Sequence, residues 1–500
     1  MKNLNDADAK KIMVKDTALF LPAKIIEGLI GLATITLYTK FFVPEVYGYY
    51  GFITTTVNIL SFLLLGWLIQ SVYRYVNSFD GSKKRVLFYS TTFTLWCSIN
   101  GIILILGLLG VFIISRGNER WFTELFILSL LMFITYNTMQ IFTSLLSATR
   151  RTKLLLFTSI CSVAAKLLFT IFFVYQFKTN TFTPAVAVLS NILVDTAIIL
   201  LIGFRLKVTR YIRFTFFSSK VLKKFFAYGI PLVMVNITNS LLSLSDRYII
   251  TPFAGADQLG IYHANYTISS TLFTLILSAV MRGVFPIILS NFRQNTKEQT
   301  EQLLSQAVRY YLMISMPALF GLSALSKTLS RLFLDKAYFE NGFVIIWVAA
   351  GMFFFGLAEY SNKAWELNQK TKPLFFNSLI SSVVNIAINL LLVPVYGYRV
   401  AAVSTALSYF IYLLLSLIRS RKILKIHFKL SSVTKILISC ILMSIVVFLL
   451  LRVFSPSVIS LLVTALVGCL VYFVSLFLSK EITSELNTFL HWIKQRKAGG

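Results

Sequence analysis

The sequence predicts an all-α polytopic membrane protein of about fourteen transmembrane helices. Three observations predict it. Hydrophobic residues make up 57% of the 500-residue chain and charged residues only 13%, against about 25% charge in a soluble domain. The apolar residues cluster in runs of roughly twenty, the length that crosses a bilayer core. Lys and Arg concentrate in every second connector, as orientation in a membrane requires. Apolar runs of this length exclude the alternating, roughly ten-residue strands of a membrane barrel.

Spans are expected near 17–40, 48–72, 86–114, 122–147, 154–177, 184–204, 226–250, 260–290, 305–326, 342–362, 374–395, 398–418, 433–451 and 456–479. With the N-terminus in the cytoplasm, 33 Lys and Arg fall in inside segments, 10 in outside loops and 4 within or beside spans. That asymmetry is periodic along the chain, and an even number of spans returns the C-terminus to the cytoplasm. The first run is too long for a cleavable leader and lacks a small-residue cleavage site, so it is expected to remain as span 1. The net charge of +28 therefore reads mainly as topology, with a polyanionic lipid substrate as a second source. No nucleic-acid role is expected.

Charges inside spans are the informative residues, because each costs at least about 2.5–3.5 kcal/mol at the bilayer centre unless paired or hydrated. Span 1 carries Lys24 and Glu27 on one face near Pro22. They form either an internal ion pair or a cavity-lining pair at a kink. Arg74 follows span 2 and is either topogenic or functional. Lys166 in span 5 and Asp195 in span 6 can neutralise each other, with Asn191 on the same face as Asp195.

Span 7 ends in Asp246-Arg247, read either as an interfacial pair or as part of a site. Span 8 holds Arg282 in Ala-Val-Met-Arg-Gly-Val-Phe, with no acid within a helical turn. It needs a cavity, a distant partner or an anionic ligand, and is the leading functional candidate. Arg309 in span 9 either snorkels to the surface or faces a cavity. Span 10 aligns Glu359, Lys363 and Glu366 on one face, as a self-neutralised edge or as a gate or ion site. The candidate headgroup-binding set is Arg282, Lys24, Lys166, Arg74, Arg247, Arg309 and Lys363. The ion-coupling candidates are Glu27, Asp195, Asp246 and Glu359.

The chain also repeats. Lys15, Ala18 and Pro22 match Lys224, Ala227 and Pro231. Glu45-Val46-Tyr47-Gly48-Tyr49-Tyr50 parallels Asp257-Gln258-Leu259-Gly260-Ile261-Tyr262. Thr152-Lys153, Leu155, Phe157, Ser159 and Ser162 match Thr371-Lys372, Leu374, Phe376, Ser378 and Ser381. Three matches in order, at offsets growing from 209 to 219, indicate duplicated six-helix halves in one orientation. The expected organisation is an N-terminal lobe at 1–210, a C-terminal lobe at 211–425, and two extra helices with a cytoplasmic tail at 426–500.

Soluble-enzyme chemistry is not indicated. There is no Walker A, HExxH or GxGxxG signature. Asp6-Ala7-Asp8 has a DxD form but lies in a short tail with no domain around it. The short outside loops argue against a membrane glycosyltransferase or polymerase. Cys97, Cys161, Cys440 and Cys469 lie in apolar segments without CxxC or metal spacing, and the three histidines are scattered. No metal or other cofactor is expected.

The fragment Phe41-Phe42-Val43-Pro44-Glu45-Val46-Tyr47-Gly48-Tyr49-Tyr50 resembles the link after the first helix in polysaccharide transporters of the MOP superfamily. Val393-Pro394-Val395-Tyr396-Gly397-Tyr398-Arg399-Val400-Ala401-Ala402 resembles the corresponding link after the eleventh span. Fourteen spans in two six-helix halves plus two helices fit the same superfamily.

The resemblance implies V-shaped lobes and a Wzx-type flippase in the bacterial cytoplasmic membrane. Its implied substrate is an undecaprenyl-pyrophosphate-linked oligosaccharide for O-antigen, capsule or exopolysaccharide. A polymerase and other assembly proteins are implied partners, and the duplication makes a monomer the default. Related MurJ flippases imply a basic cavity and a lipid-tail groove at the last two helices. Their basic motif in span 1 is not matched residue by residue, since Lys24 is followed by apolar residues and Glu27. That departure argues against lipid II. A MATE-like cation/drug antiporter on the same fold is the other alternative.

Overall fold

A computed structural model describes residues 6–79, 81–114, 120–177, 184–292, 296–368 and 370–483, with the side chains of 6–21, 113–114, 120–122, 282–287 and 289–291 outside the description. Fourteen long α-helices run in order. They are α1 (Asp6–Phe41), α2 (Pro44–Tyr75), α3 (Ser82–Ile114), α4 (Arg120–Ala148), α5 (Thr152–Phe177), α6 (Ala185–Leu206) and α7 (Ser219–Ala254). Then come α8 (Ala256–Asn291), α9 (Lys297–Phe333), α10 (Phe343–Leu367), α11 (Lys372–Tyr396), α12 (Tyr398–Ser420), α13 (Leu430–Val453) and α14 (Val458–Leu478). No strand occurs among the described residues. Thirteen segments there are long and apolar enough to cross a membrane.

The helical outcome follows from the solvent. Hydrocarbon offers no hydrogen-bond partner, so each crossing segment must satisfy its own backbone. The helices outrun the apolar runs that predict them. α9 has 37 residues, about 55 Å at roughly 1.5 Å per residue, well beyond a core of about 30 Å. Its polar start carries a reciprocal capping box between Thr296 and Gln299.

Short links come from local chemistry. Val43 is extended, and Pro44 then starts α2 at a position where a missing N–H costs nothing. Gly255, at φ 98°, separates α7 from α8, and Gly397, at φ 70°, separates α11 from α12. Both need the left-handed backbone that glycine adopts without strain.

By backbone proximity the chain forms two compact units, Met1–His263 with Leu374–Ala401, and Ala264–Pro373 with Ala402–Gly500. In the first, Leu65, Leu68, Ile141, Leu145, Ile202 and Phe225 belong to one apolar core. α2 packs along α7, where the Trp67 and Phe226 rings stack at 4.2 Å. A Cβ on Gly229 would strike the backbone of Trp67.

α11 joins α7 through a polar seam. Ser378 donates to Asn239 (2.7 Å), Ser382 to the Thr238 carbonyl (2.9 Å) and Ser245 to Asn385 (3.1 Å). Such bonds substitute for the hydrophobic drive that lipid removes.

In the second unit, Tyr472 of α14 donates to the Met313 carbonyl of α9 at 2.7 Å. Tyr311 of α9 donates to the Phe353 carbonyl of α10 at 3.1 Å. Gly468 lets α14 lie on Val447 of α13.

The first turns of α2 and α8 meet backbone to backbone. A Cβ on Gly48 would fall onto the carbonyl oxygen of Ala256, and a Cβ on Gly260 onto that of Pro44. These glycines hold equivalent places in the sequence repeat, so the two copies of one motif touch each other. Gly48→Ala and Gly260→Ala are therefore expected to lower stability by about 1–3 kcal/mol each, as overpacking does. Gly101→Ala, which meets nothing within 4 Å, is the control. Equal thermal unfolding of all three variants in detergent would contradict the close approach.

Candidate functional site

The candidate charges occupy several small clusters. In α1, Lys24 contacts Glu27 at 2.6 Å, one turn apart. Between α5 and α6, Lys166 contacts Asp195 at 2.7 Å. Ser162 donates weakly to the same carboxylate at 3.4 Å, and Asn191 donates to the Tyr50 hydroxyl at 3.2 Å. The helical spacing of Asn191 and Asp195 thus gives a polar face turned to α5 and α2.

Asp246 and Arg247 of α7 are buried, at 2% and 3% exposure. Arg247 donates to Asp246 at 3.3 Å and to the Ser243 carbonyl at 3.0 Å. The Tyr262 hydroxyl of α8 donates to Asp246 as well. Both side chains of this dipeptide are thus packed inside the protein.

In α9, Arg309 pairs with Glu481, just past α14, at 2.8 Å and also donates to its carbonyl. Ser432 of α13 donates to the same carboxylate. The polar ends of α9, α13 and α14 are thereby held together. They line a cleft of about 850 Å³, with Glu301, Arg309, His427, Lys429, Ser432 and Glu481 among its walls.

In α10, Lys363 contacts Glu366 at 2.7 Å. Glu359 instead accepts from Asn362 at 3.2 Å, and Asn362 also donates to Tyr412 of α12 at 2.8 Å. Arg74, at the end of α2, is exposed and lies over the Tyr228 ring at 5.8 Å. Arg282 belongs to α8, but its side chain lies outside the described residues, as do Asp6 and Asp8.

Of the six basic candidates whose side chains are described, five therefore touch a carboxylate. Glu481, Tyr262 and Tyr228 are partners that span-by-span reading does not supply. One signal for Glu481 exists: after Glu366 the only acids are Glu481 and Glu485, while Arg309 needs a counter-charge. Among the described residues no group of three His, Cys, Asp or Glu side chains could hold a metal ion.

An arrangement of paired cations along apolar helices suits exchange of one oxyanion for another. A phosphate offers Lys and Arg the same acceptor geometry as the carboxylate it displaces.

The comparisons with known proteins agree with this architecture. Residues 13–292 match the family described as polysaccharide biosynthesis protein, more than half of the chain. The chain belongs to that family. Residues 231–391 also match the MatE family.

A curated relative, the "Probable low-salt glycan biosynthesis flippase Agl15" of Haloferax volcanii, is 23% identical over 232 residues, covering 46% of this chain and 49% of its own. The chain thus spans about half the length of that relative. A solved structure of the lipid II flippase MurJ in an inward closed conformation superposes with a TM-score of 0.75 at 17% identity, over 93% of this chain and 100% of that one. An inward-facing multidrug MATE transporter of the MOP superfamily gives a TM-score of 0.66 at 12% identity, over 84% and 99%. At these identities the likeness shows the shared fold.

The Lys166–Asp195 pair offers a test of the charge bookkeeping. Asp195→Ala strands Lys166 and is expected to cost about 2–3 kcal/mol, below the value for a fully buried pair because 27% of the lysine side chain is exposed. The double variant Lys166→Met with Asp195→Leu should be more stable than Asp195→Ala alone. Thermal unfolding in detergent reads the order, and a double variant less stable than the single one would refute the pairing.

Proposed function

We propose that this protein is a flippase for polyprenyl-diphosphate-linked oligosaccharide. It would carry undecaprenyl-pyrophosphate repeat units from the cytoplasmic to the outer leaflet of a bacterial cytoplasmic membrane, with both termini inside. The products fed would be surface polysaccharides such as O-antigen, capsule or exopolysaccharide. The observation that carries this reading is the family match over residues 13–292. The Haloferax relative, itself described as a probable glycan biosynthesis flippase, supports it.

The physical problem is the diphosphate. An unpaired charge in hydrocarbon costs many kcal/mol, so the headgroup must travel beside cations. Arg282 is the leading residue for that contact. Lys24, Lys166, Arg247, Arg309 and Lys363 would serve by releasing their carboxylates to it, and Arg74 directly. The halves at 1–210 and 211–425 would rock in alternating access, with α13 and α14 guiding the lipid tail. An inside-negative potential favours outward movement of each negative charge by about 2.3 kcal/mol per 100 mV. Glu27, Asp195, Asp246 and Glu359 are the sites at which an ion would couple. No bond is made or broken in this scheme, and a monomer suffices. A polymerase and other assembly proteins would receive the product.

A second reading, cation or drug antiport, is favoured by the MatE match over residues 231–391. The test is reconstitution in vesicles with a fluorescently labelled polyprenyl-diphosphate oligosaccharide. Movement is read as the label reaching a membrane-impermeant reductant. The native chain should flip it, and Arg282→Ala should reduce the rate at least about tenfold, equivalent to about 1.4 kcal/mol, with folding intact. A variant that flips normally removes Arg282 from the site. Cation exchange in place of flipping, lost with Glu27→Gln or Asp195→Asn, would replace the flippase reading with the antiporter.

A further inference from the structure

With the termini inside, as in the proposed orientation, the end of α2 and the start of α7 would face the cytoplasm. These two ends are locked together. Ser71 donates to the Phe225 carbonyl at 2.9 Å, and Tyr75 stacks on Phe225 with ring centroids 6.1 Å apart. Tyr75 and Tyr228 meet edge to face at 5.5 Å. Two cations sit on this aromatic pair. Arg74 lies over Tyr228 at 5.8 Å, and Lys224 lies over Tyr75 at 4.5 Å and Phe79 at 5.7 Å. Both cations are exposed.

Their counter-charges are the anomaly. Lys24, Lys166, Arg247, Arg309 and Lys363 each touch a carboxylate. Among the described residues Arg74 and Lys224 touch none. The sequence explains this. No Asp or Glu occurs from Val46 to Phe79, or from Thr196 to Ser245. Aromatic faces hold a cation in place without neutralising it. The result is two exposed positive charges held over aromatic rings on one helix pair.

We propose that Arg74 and Lys224 form a landing site for the diphosphate of the lipid-linked substrate, with Tyr75 and Tyr228 as the platform that orients them. This rests on the flippase reading and adds the groups that would meet the headgroup at the cytoplasmic surface. Two cations on neighbouring rings offer one positive charge to each phosphate of a diphosphate. The planar guanidinium can take two oxygens of one phosphate, and the ammonium serves as a point charge for the other. A phosphodiester lipid, with one phosphate, would engage only half of the pair.

The test uses the full chain in phosphatidylcholine nanodiscs, with farnesyl diphosphate and inorganic pyrophosphate as probes and thermophoresis as the readout. Arg74→Gln and Lys224→Gln should each weaken binding of both probes about tenfold, the scale of one charge-assisted contact. Lys84→Gln, an exposed cation elsewhere on α3, should not. Unchanged binding in the Arg74 and Lys224 variants overturns the site. If nanodiscs containing phosphatidylglycerol abolish farnesyl diphosphate binding, the site belongs to bulk anionic lipid and the diphosphate assignment falls. The two readings fail separately. Diphosphate binding through both residues, in a chain that flips no labelled oligosaccharide lipid, sinks the flippase and keeps the site. Flipping by a native chain whose diphosphate binding ignores both substitutions does the reverse.

Discussion

A cation held in hydrocarbon must find a counter-charge, and much of this structure is arranged around that requirement. Two of the pairs are local: Lys24 with Glu27, and Lys363 with Glu366, each one helical turn apart. These neutralise a helix without telling it where to go. Two others are not local. Lys166 with Asp195 fixes α5 against α6, and Arg309 with Glu481 joins residues 172 positions apart in the chain. A long-range pair specifies which helices lie together, because the alternative is a stranded charge at several kcal/mol.

Apolar side chains cannot supply that specificity here, since lipid tails are as apolar as leucine. The remaining helix contacts use two other devices. One is the polar seam of α11, where Asn377, Ser378, Ser381, Ser382, Asn385 and Asn389 are buried along one face. The other is close backbone approach at glycine, as where Gly48 and Gly260 bring the first turns of α2 and α8 into contact. Outward faces, by contrast, are plain hydrocarbon. Ile459, Leu470 and Leu478 of α14 and Leu430 of α13 are among the most exposed side chains, as lipid contact allows.

The same electrostatics bears on transport. In the proposed scheme, a headgroup that takes a lysine or arginine from its carboxylate leaves that carboxylate without a counter-charge, which offsets its gain. Weak net binding of this kind would ease release. Arg74 and Lys224, on their tyrosines, touch no carboxylate among the described residues, and in the proposed scheme they would serve first capture.

The sequence alone determined the membrane class, the helix count, the topological charge bias and the family resemblance. Each is written in local composition: runs of apolar residues, Lys and Arg in alternate connectors, and motifs such as Pro44-Glu45-Val46-Tyr47-Gly48. It also supplied the pairs Lys24–Glu27 and Lys166–Asp195, since one lies on a single helix turn and the other on consecutive helices. Only tertiary structure decided that Asp246-Arg247 is buried in the protein, because Tyr262 of α8 bonds the aspartate. It alone matched Arg309 to Glu481 and set Arg74 and Lys224 on Tyr228 and Tyr75. Periodicity along one helix reports which face is polar. It carries no information on which distant helix that face meets, and in a bilayer that choice belongs to the few charges, hydroxyls and glycines that hydrocarbon cannot satisfy.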